Sequence, residues 1–145
     1  MRIKYLLLFL IPSLLFSTSL SIGQKLTLPT TKDQFDQSVK ITPSTKLVII
    51  ALTRKGGEIV NNHFQSNPDY LQKQNAVFLI KSSGVPNFVL KLFILPEYKK
   101  YSYSVGLLEN RDFLESLQEK DAKLVYILLQ DGVVLKLEYR NDLKK

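Results

Sequence analysis

The chain of 145 residues carries 20 Lys and Arg against 13 Asp and Glu, a net charge of +7 at neutral pH, and it has no cysteine. The lack of cysteine excludes a disulfide framework, thiol catalysis and a lipidated-cysteine anchor together, so stability has to come from an apolar core. The basic residues are dispersed rather than grouped, which favours solubility and weak attraction to anionic surfaces and leaves no electrostatic footprint for nucleic acid.

Residues 1–23 read as an export signal. Arg2 and Lys4 form a positive start, residues 5–16 are an apolar core interrupted by Pro12 and Ser13, and residues 17–23 supply small residues suited to cleavage after Ser19, Ser21 or Gly23. The run is shorter than the roughly 20 apolar residues of a spanning helix. A periplasmic location in a bacterial envelope is therefore expected, with an uncleaved inner-membrane anchor facing the periplasm as the alternative. Removing residues 1–23 takes away two positive charges and leaves 24–145 as a single domain of +5, a size that buries about two-thirds of its unfolded surface.

Residues 24–45 are polar and broken by Pro29 and Pro43, with short alternations at Leu26/Leu28 and Phe35/Val39/Ile41, and read as an N-terminal β-hairpin or arm. Residues 47–53, LVIIALT, form a continuous apolar run without alternation, as in a strand buried on both faces. From Glu58 a helical pattern sets Ile59, Val60, His63 and Phe64 near one face; Asn67 and Pro68 suit the start of a second short helix. Residues 76–80 are another buried strand. A helix opening at Pro86 spaces Phe88, Val89, Leu92 and Phe93 at helical period, and Pro96 is expected to end or kink it.

Residues 101–108 read as a third strand. A short helix follows with Asn110 as N-cap, Asp112 in its first turn and Phe113, Leu114 and Leu117 facing inward. Two apolar runs then flank Asp131-Gly132, the dipeptide a type I′ hairpin requires, with Leu135, Leu137 and Tyr139 on one face and Lys136 and Glu138 on the other. Alternating strands and helices predict a mixed sheet with helices on both faces.

In this order of elements the chain resembles the thioredoxin-like superfamily, in its exported branch of peroxiredoxins and membrane-tethered thiol-disulfide proteins. Residues 26–52, LTLPTTKDQFDQSVKITPSTKLVIIAL, and the closing hairpin at 124–139 carry the likeness. The patterns at residues 46–61 and 93–101, KxVI…G…IVN and FxLPxxxxY, are also similar to a small group of uncharacterised cysteine-free exported proteins. The resemblance implies a three-layer α/β/α fold with an N-terminal β-hairpin extension and a C-terminal β-hairpin. It also implies a C-x-x-C pair around residues 55–59, or a T-x-x-C starting at Thr53 with the reactive cysteine at Gly56, and a cis-proline between residues 99 and 104. This chain has none of these, and Gly, Lys or Glu cannot replace a thiolate nucleophile.

Thr53, Arg54, Lys55, Gly56, Gly57 and Glu58 remain as a candidate binding turn. Gly56-Gly57 ahead of a helix exposes N–H groups to an anion with Arg54 and Lys55 adding charge, although the pair matches neither phosphate fingerprint and a turn with unusual φ is the simpler explanation. Ser83, Gly84, Val85 and Pro86, after Ser82, form a candidate groove loop by topological analogy with the family. His63 is the single histidine and lacks a partner for a zinc site, so no metal and no cofactor are expected. Tyr98, Tyr101 and Tyr103 interleave with Lys99 and Lys100, a pattern explained by a helix end and a strand face, or by a protein-binding surface. The expected function is a binding or accessory protein of the cell envelope, leaning away from an enzyme, with another envelope protein as partner. The alternatives are a thiol-independent enzyme or small-anion binder using residues 53–63, and a membrane-tethered structural protein.

Overall fold

The computed structural model describes residues 19–117 and 121–143; most of the expected signal segment, residues 1–18, lies outside them. Seven strands form one mixed sheet: β1 Thr31–Asp33, β2 Ser38–Val39, β3 Leu47–Ala51, β4 Ala76–Lys81, β5 Gly106–Leu108, β6 Leu124–Gln130 and β7 Val133–Arg140, in spatial order β2-β1-β5-β4-β3-β6-β7. The parallel centre is β3, β4 and β5, flanked by antiparallel hairpins at both ends.

β3 is buried throughout because its residues serve two cores. Val48 and Ile50 face Leu117, Phe113 and Leu114 together with Leu26 and Leu28 of the N-terminal arm. Leu47, Ile49 and Ala51 face Val60, Phe64 and Phe78. Fully burying each such side chain contributes roughly 1.5–3 kcal/mol. One sheet face is covered by α1 Arg54–Ser66, α2 Tyr70–Lys73 and α4 Leu95–Tyr98; among the described residues the other carries α5 Arg111–Ser116 and the arm. The fold is thus three-layer α/β/α with one thin outer layer.

The arm spans both ends of the sheet. Leu20 N–H donates to Ser116 O at 2.9 Å, Gly23 N–H to Val134 O at 2.8 Å, and Lys25 bridges Val133. The chain then crosses one face through Leu26 and Leu28 and forms the β1–β2 hairpin, which pairs with β5. The expected hairpin extension is present, and contacts reach back to Leu20.

Several local expectations need correction. The Gly56-Gly57 pair is not a turn of unusual φ: α1 starts at Arg54 and both glycines lie in its first turn with ordinary φ. Asn67 does not start the next helix; it ends α1, where its side-chain amide donates to His63 O at 3.0 Å, and Asp69 precedes α2. The third strand is only Gly106–Leu108, because residues 101–105 form an aromatic loop. Of the two outcomes expected at Pro96, an end or a kink, the helix does not end there. α3 Asn87–Val89 runs into a π-helical Leu90–Ile94 and on into α4, the wider turn accommodating a proline that has no N–H to give.

That helical stretch, residues 87–98, also faces the other way from its period-3.6 reading. Leu90, Ile94, Leu95 and Tyr98 turn inward, whereas Phe88, Leu92 and Phe93 stay 65, 66 and 65% exposed. The turn of the closing hairpin is as expected, with Asp131 and Gly132 at φ +49° and +79°. Its expected apolar face is not: a bulge at Leu135, between the Leu128–Lys136 and Leu129–Val134 pairs, leaves Leu135 half exposed, and Val134 and Leu137 reach the core instead. Asn110 caps α5 by accepting from Phe113 N–H at 2.9 Å.

Candidate functional site

The strand-helix turn lies at the carboxyl end of the parallel strands, where open α/β sheets present their ligands. Ala51 pairs with Ile80 and with Leu124, so the segments leaving β3, leaving β4 and entering β6 meet there. Residues 53–58 therefore sit between the loop 82–86 and residues 121–123.

Thr53 is the N-cap of α1. Its hydroxyl accepts from Gly56 N–H at 3.0 Å, and its carbonyl accepts from Gly57 N–H at 3.1 Å. Both glycine donors are thus used inside the helix. Gly56 has a steric reason: a Cβ built on it would overlap the carbonyl oxygen of Lys123 and lie 3.1 Å from its carbon. That same oxygen accepts from Leu52 N–H at 2.9 Å, which fixes it against the turn. Gly57 is roomy, with its nearest neighbour, Ile80 Cδ1, at 3.7 Å.

The charged residues of the turn face water. The Arg54 side chain is 94% exposed and pairs with Glu58 at 3.5 Å, and Lys55 pairs with the same carboxylate at 3.6 Å. Exposed i,i+3 and i,i+4 pairs of this kind contribute only a few tenths of a kcal/mol. His63 lies nine residues beyond Arg54, roughly 13 Å along the helix at 1.5 Å per residue. Its ring meets Tyr70 edge-on at 4.9 Å and its Nδ1 lies 3.5 Å from the Asn67 amide. Thr53, Arg54, Glu58 and His63 do not converge on one cavity.

In the groove loop Gly84 has φ +83°, Val85 N–H donates to Ser82 O at 3.3 Å, and Ser82 N–H donates to Leu108 O at 2.9 Å. The Ser82 hydroxyl is buried with no hydrogen-bond partner among the described residues. The turn and the loop share one end of the sheet as a surface filled by the Lys123 backbone. An open cleft of about 440 Å³ lies at the opposite, amino end of β3 and β4, lined by Thr45, Asn75, Ala76 and Ser104 among others. Among the described residues no three His, Cys, Asp or Glu side chains cluster as metal ligands.

The tyrosines are turned inward. Tyr101 stacks between Tyr98 and Tyr103, with ring centroids at 5.5 and 5.2 Å, and the Tyr103 hydroxyl donates to the Asn61 side chain. Burial raises the pKa of all three phenols, with mutual repulsion adding to it for Tyr98 and Tyr103. Sequence reading missed the polar anchor of this loop. Gln34, 2% exposed, donates to Tyr103 O at 2.7 Å and Tyr98 O at 3.1 Å, and accepts from Val105 N–H at 2.8 Å. Neighbouring Asp33 accepts from Phe35 and Gln37 N–H and from the Ser104 hydroxyl. Asp and Gln in a polar stretch carry no periodic signal, and only the fold brings residues 33–34 to residues 98–105.

Solved structures share this architecture. The thioredoxin domain of a thiol-disulfide oxidoreductase from Bacteroides vulgatus matches with a TM-score of 0.55 at 19% identity, covering 84% of this chain and 91% of that one. A thiol peroxidase from Chromobacterium violaceum gives 0.52 at 13% identity over 88% and 80% of the two chains. A thioredoxin-like protein from Porphyromonas gingivalis gives 0.51 at 15% identity over 82% of each. The fold is therefore thioredoxin-like. No protein-family model matches the chain, and no curated protein sequence does.

Proposed function

We propose that this thioredoxin-like chain works as an exported accessory protein of the cell envelope, binding another envelope protein without redox turnover. One observation carries the reading. At Gly56, where a peroxiredoxin-type cysteine would fall, the Lys123 backbone carbonyl fills the space a side chain needs. Restoring a sulfur there would require moving the entrance to β6, so the closure is built into the backbone and goes beyond a missing residue type.

The binding surface in this proposal is the exposed turn of Arg54, Lys55 and Glu58 with the adjoining Ser83, Gly84, Val85 and Pro86. The geometry favours it over a thiol-independent enzyme because Thr53 and His63 are engaged in a cap and in aromatic packing. It also favours a protein over a small anion, since the two glycine N–H groups are already bonded. Within the proposal the signal is cut after Ser19, which preserves the hydrogen bonds of Leu20 and Gly23; cutting after Gly23 would remove them.

The test is affinity capture from envelope extract with the native chain and with a double variant, Arg54→Glu with Lys55→Glu. A partner retained by the native chain and lost from the variant is the expected result. An identical set of retained proteins for both would sink the assignment to this surface.

A further inference from the structure

Apart from that turn, the largest anomaly of the molecule is the outer face of residues 87–98. A surface helix ordinarily buries one apolar stripe and shows water a polar one. Here Leu90 is buried against the body of the protein, and Phe88, Leu92 and Phe93 stand about two-thirds exposed on the outer side. Both faces of one helical stretch are thus apolar, and nothing among the described residues covers the second. Exposed Pro86 and Pro96 extend the same surface at either end.

The charges carried by this part of the chain are mostly positive. From residue 81 to residue 108 the sequence holds four lysines, Lys81, Lys91, Lys99 and Lys100, and one acid, Glu97. Glu97 pairs with Lys100 at 2.7 Å, and all four lysines are exposed. An apolar ridge of Phe and Leu rimmed by lysines is the pattern of a helix lying in a bilayer interface, the rings entering the acyl boundary while the ammonium groups reach anionic headgroups. Phe88, Leu92 and Phe93 stand out from the surface, and neither the cleft at Thr45 and Ser104 nor the one at Asn67 and Lys73 includes a residue of this stretch, which suits a flat surface better than an inserted peptide. A second copy meeting this face would set lysines against lysines with only Glu97 to offset them.

We infer that residues 86–100 form a seat for an anionic phospholipid bilayer, with Phe88, Leu92 and Phe93 entering the interface and Lys91, Lys99 and Lys100 contacting headgroups. The seat orients the domain on a membrane surface, whichever way the N-terminus is processed.

The chain has no tryptophan, so a single introduced one reports its own surroundings. Full-length Phe93→Trp and, as a control on the far edge strand, Leu135→Trp are mixed with vesicles of phosphatidylglycerol or phosphatidylcholine, with and without brominated acyl chains. The inference expects blue-shifted emission and bromine quenching for Phe93→Trp on phosphatidylglycerol, little change on phosphatidylcholine, and no quenching for Leu135→Trp. Adding Lys91→Gln with Lys99→Gln should weaken the response at least tenfold. Because quenching is local, attachment through the N-terminus alone leaves residue 93 unquenched and overturns the inference. Equal quenching on both lipids overturns its electrostatic half. A blue shift without vesicles that grows with protein concentration overturns it in favour of a second copy. Phe88→Trp provides a second reporter should the first variant fold poorly.

Discussion

Gly56 and Gly57 are neighbours in sequence and opposites in consequence. Gly56→Ala pushes a methyl into the Lys123 carbonyl, a backbone atom held by the Leu52 N–H, and is expected to destabilise the fold by roughly 2–3 kcal/mol. Gly57→Ala meets open space in a helical conformation and is expected to stabilise by about 0.4–1 kcal/mol. Chemical denaturation of the two variants checks the contrast, and equal effects would contradict the steric reading of Gly56. Gln34→Ala leaves the buried Tyr103 carbonyl and Val105 N–H without their partners, the Tyr98 carbonyl keeping Tyr101 N–H, and should cost about 2–3 kcal/mol, visible in the same measurement. Glu138 gives a pH signature. The Lys136 ammonium and then the Arg140 guanidinium hold its carboxylate from an ordinary 4.5 down to about 2. A depressed folded value contributes stability that is present above pH 4.5 and lost as pH falls through about 2. A carboxyl-carbon NMR titration should place its midpoint near 2 and, in Lys136→Gln, move it upward; no movement would remove Lys136 as the main cause.

Among the elements, the stretch 87–98 shows how periodicity can select the wrong face. Its sequence is apolar almost all round, so Phe88, Val89, Leu92 and Phe93 form as good a stripe as Leu90, Ile94 and Tyr98, and the π-turn ahead of Pro96 shifts the phase between them. Leu90→Ala is expected to cost about 2–4 kcal/mol and Leu92→Ala less than about 0.5 kcal/mol, as read by thermal unfolding. The reverse order would restore the helical-period assignment. The N-terminal arm is an element whose start matters in the same way. A chain beginning at Leu20 keeps its hydrogen bonds to Ser116 and Val134, and one beginning at Gln24 loses both along with the packing of Leu20. The shorter chain should be less stable by about 1–2 kcal/mol, and intact-mass measurement on protein from its native host shows which start the cell uses.

The whole molecule is held by two cores on either side of one sheet, and the aromatic side carries an alkaline limit. Burial, with repulsion from Tyr70 adding to it, raises the Tyr126 phenol to about 12, while Tyr98, Tyr101 and Tyr103 are raised beside it. A raised folded value means stability that is full below pH 10, the ordinary phenol value, and lost as pH climbs from there through about 12. Tyr98, Tyr101, Tyr103 and Tyr126 should ionise above pH 10 in an absorbance titration, together with loss of circular dichroism; their ionisation near 10 in an intact fold would contradict it. The sequence by itself determined much of this molecule. Unbroken aliphatic runs marked β3, β4 and β6, Asp131-Gly132 the closing hairpin and Asn110 the cap of α5, because these signals act within a few residues. The missing thiols were legible on the same terms, since a nucleophile is a residue type. Only the tertiary structure decided that Gly56 is glycine for the sake of Lys123, that Gln34 ties down residues 98–105, and which face of 87–98 meets water. Each of these depends on a partner far along the chain, and a sequence pattern shows that a side chain seeks burial without showing against what.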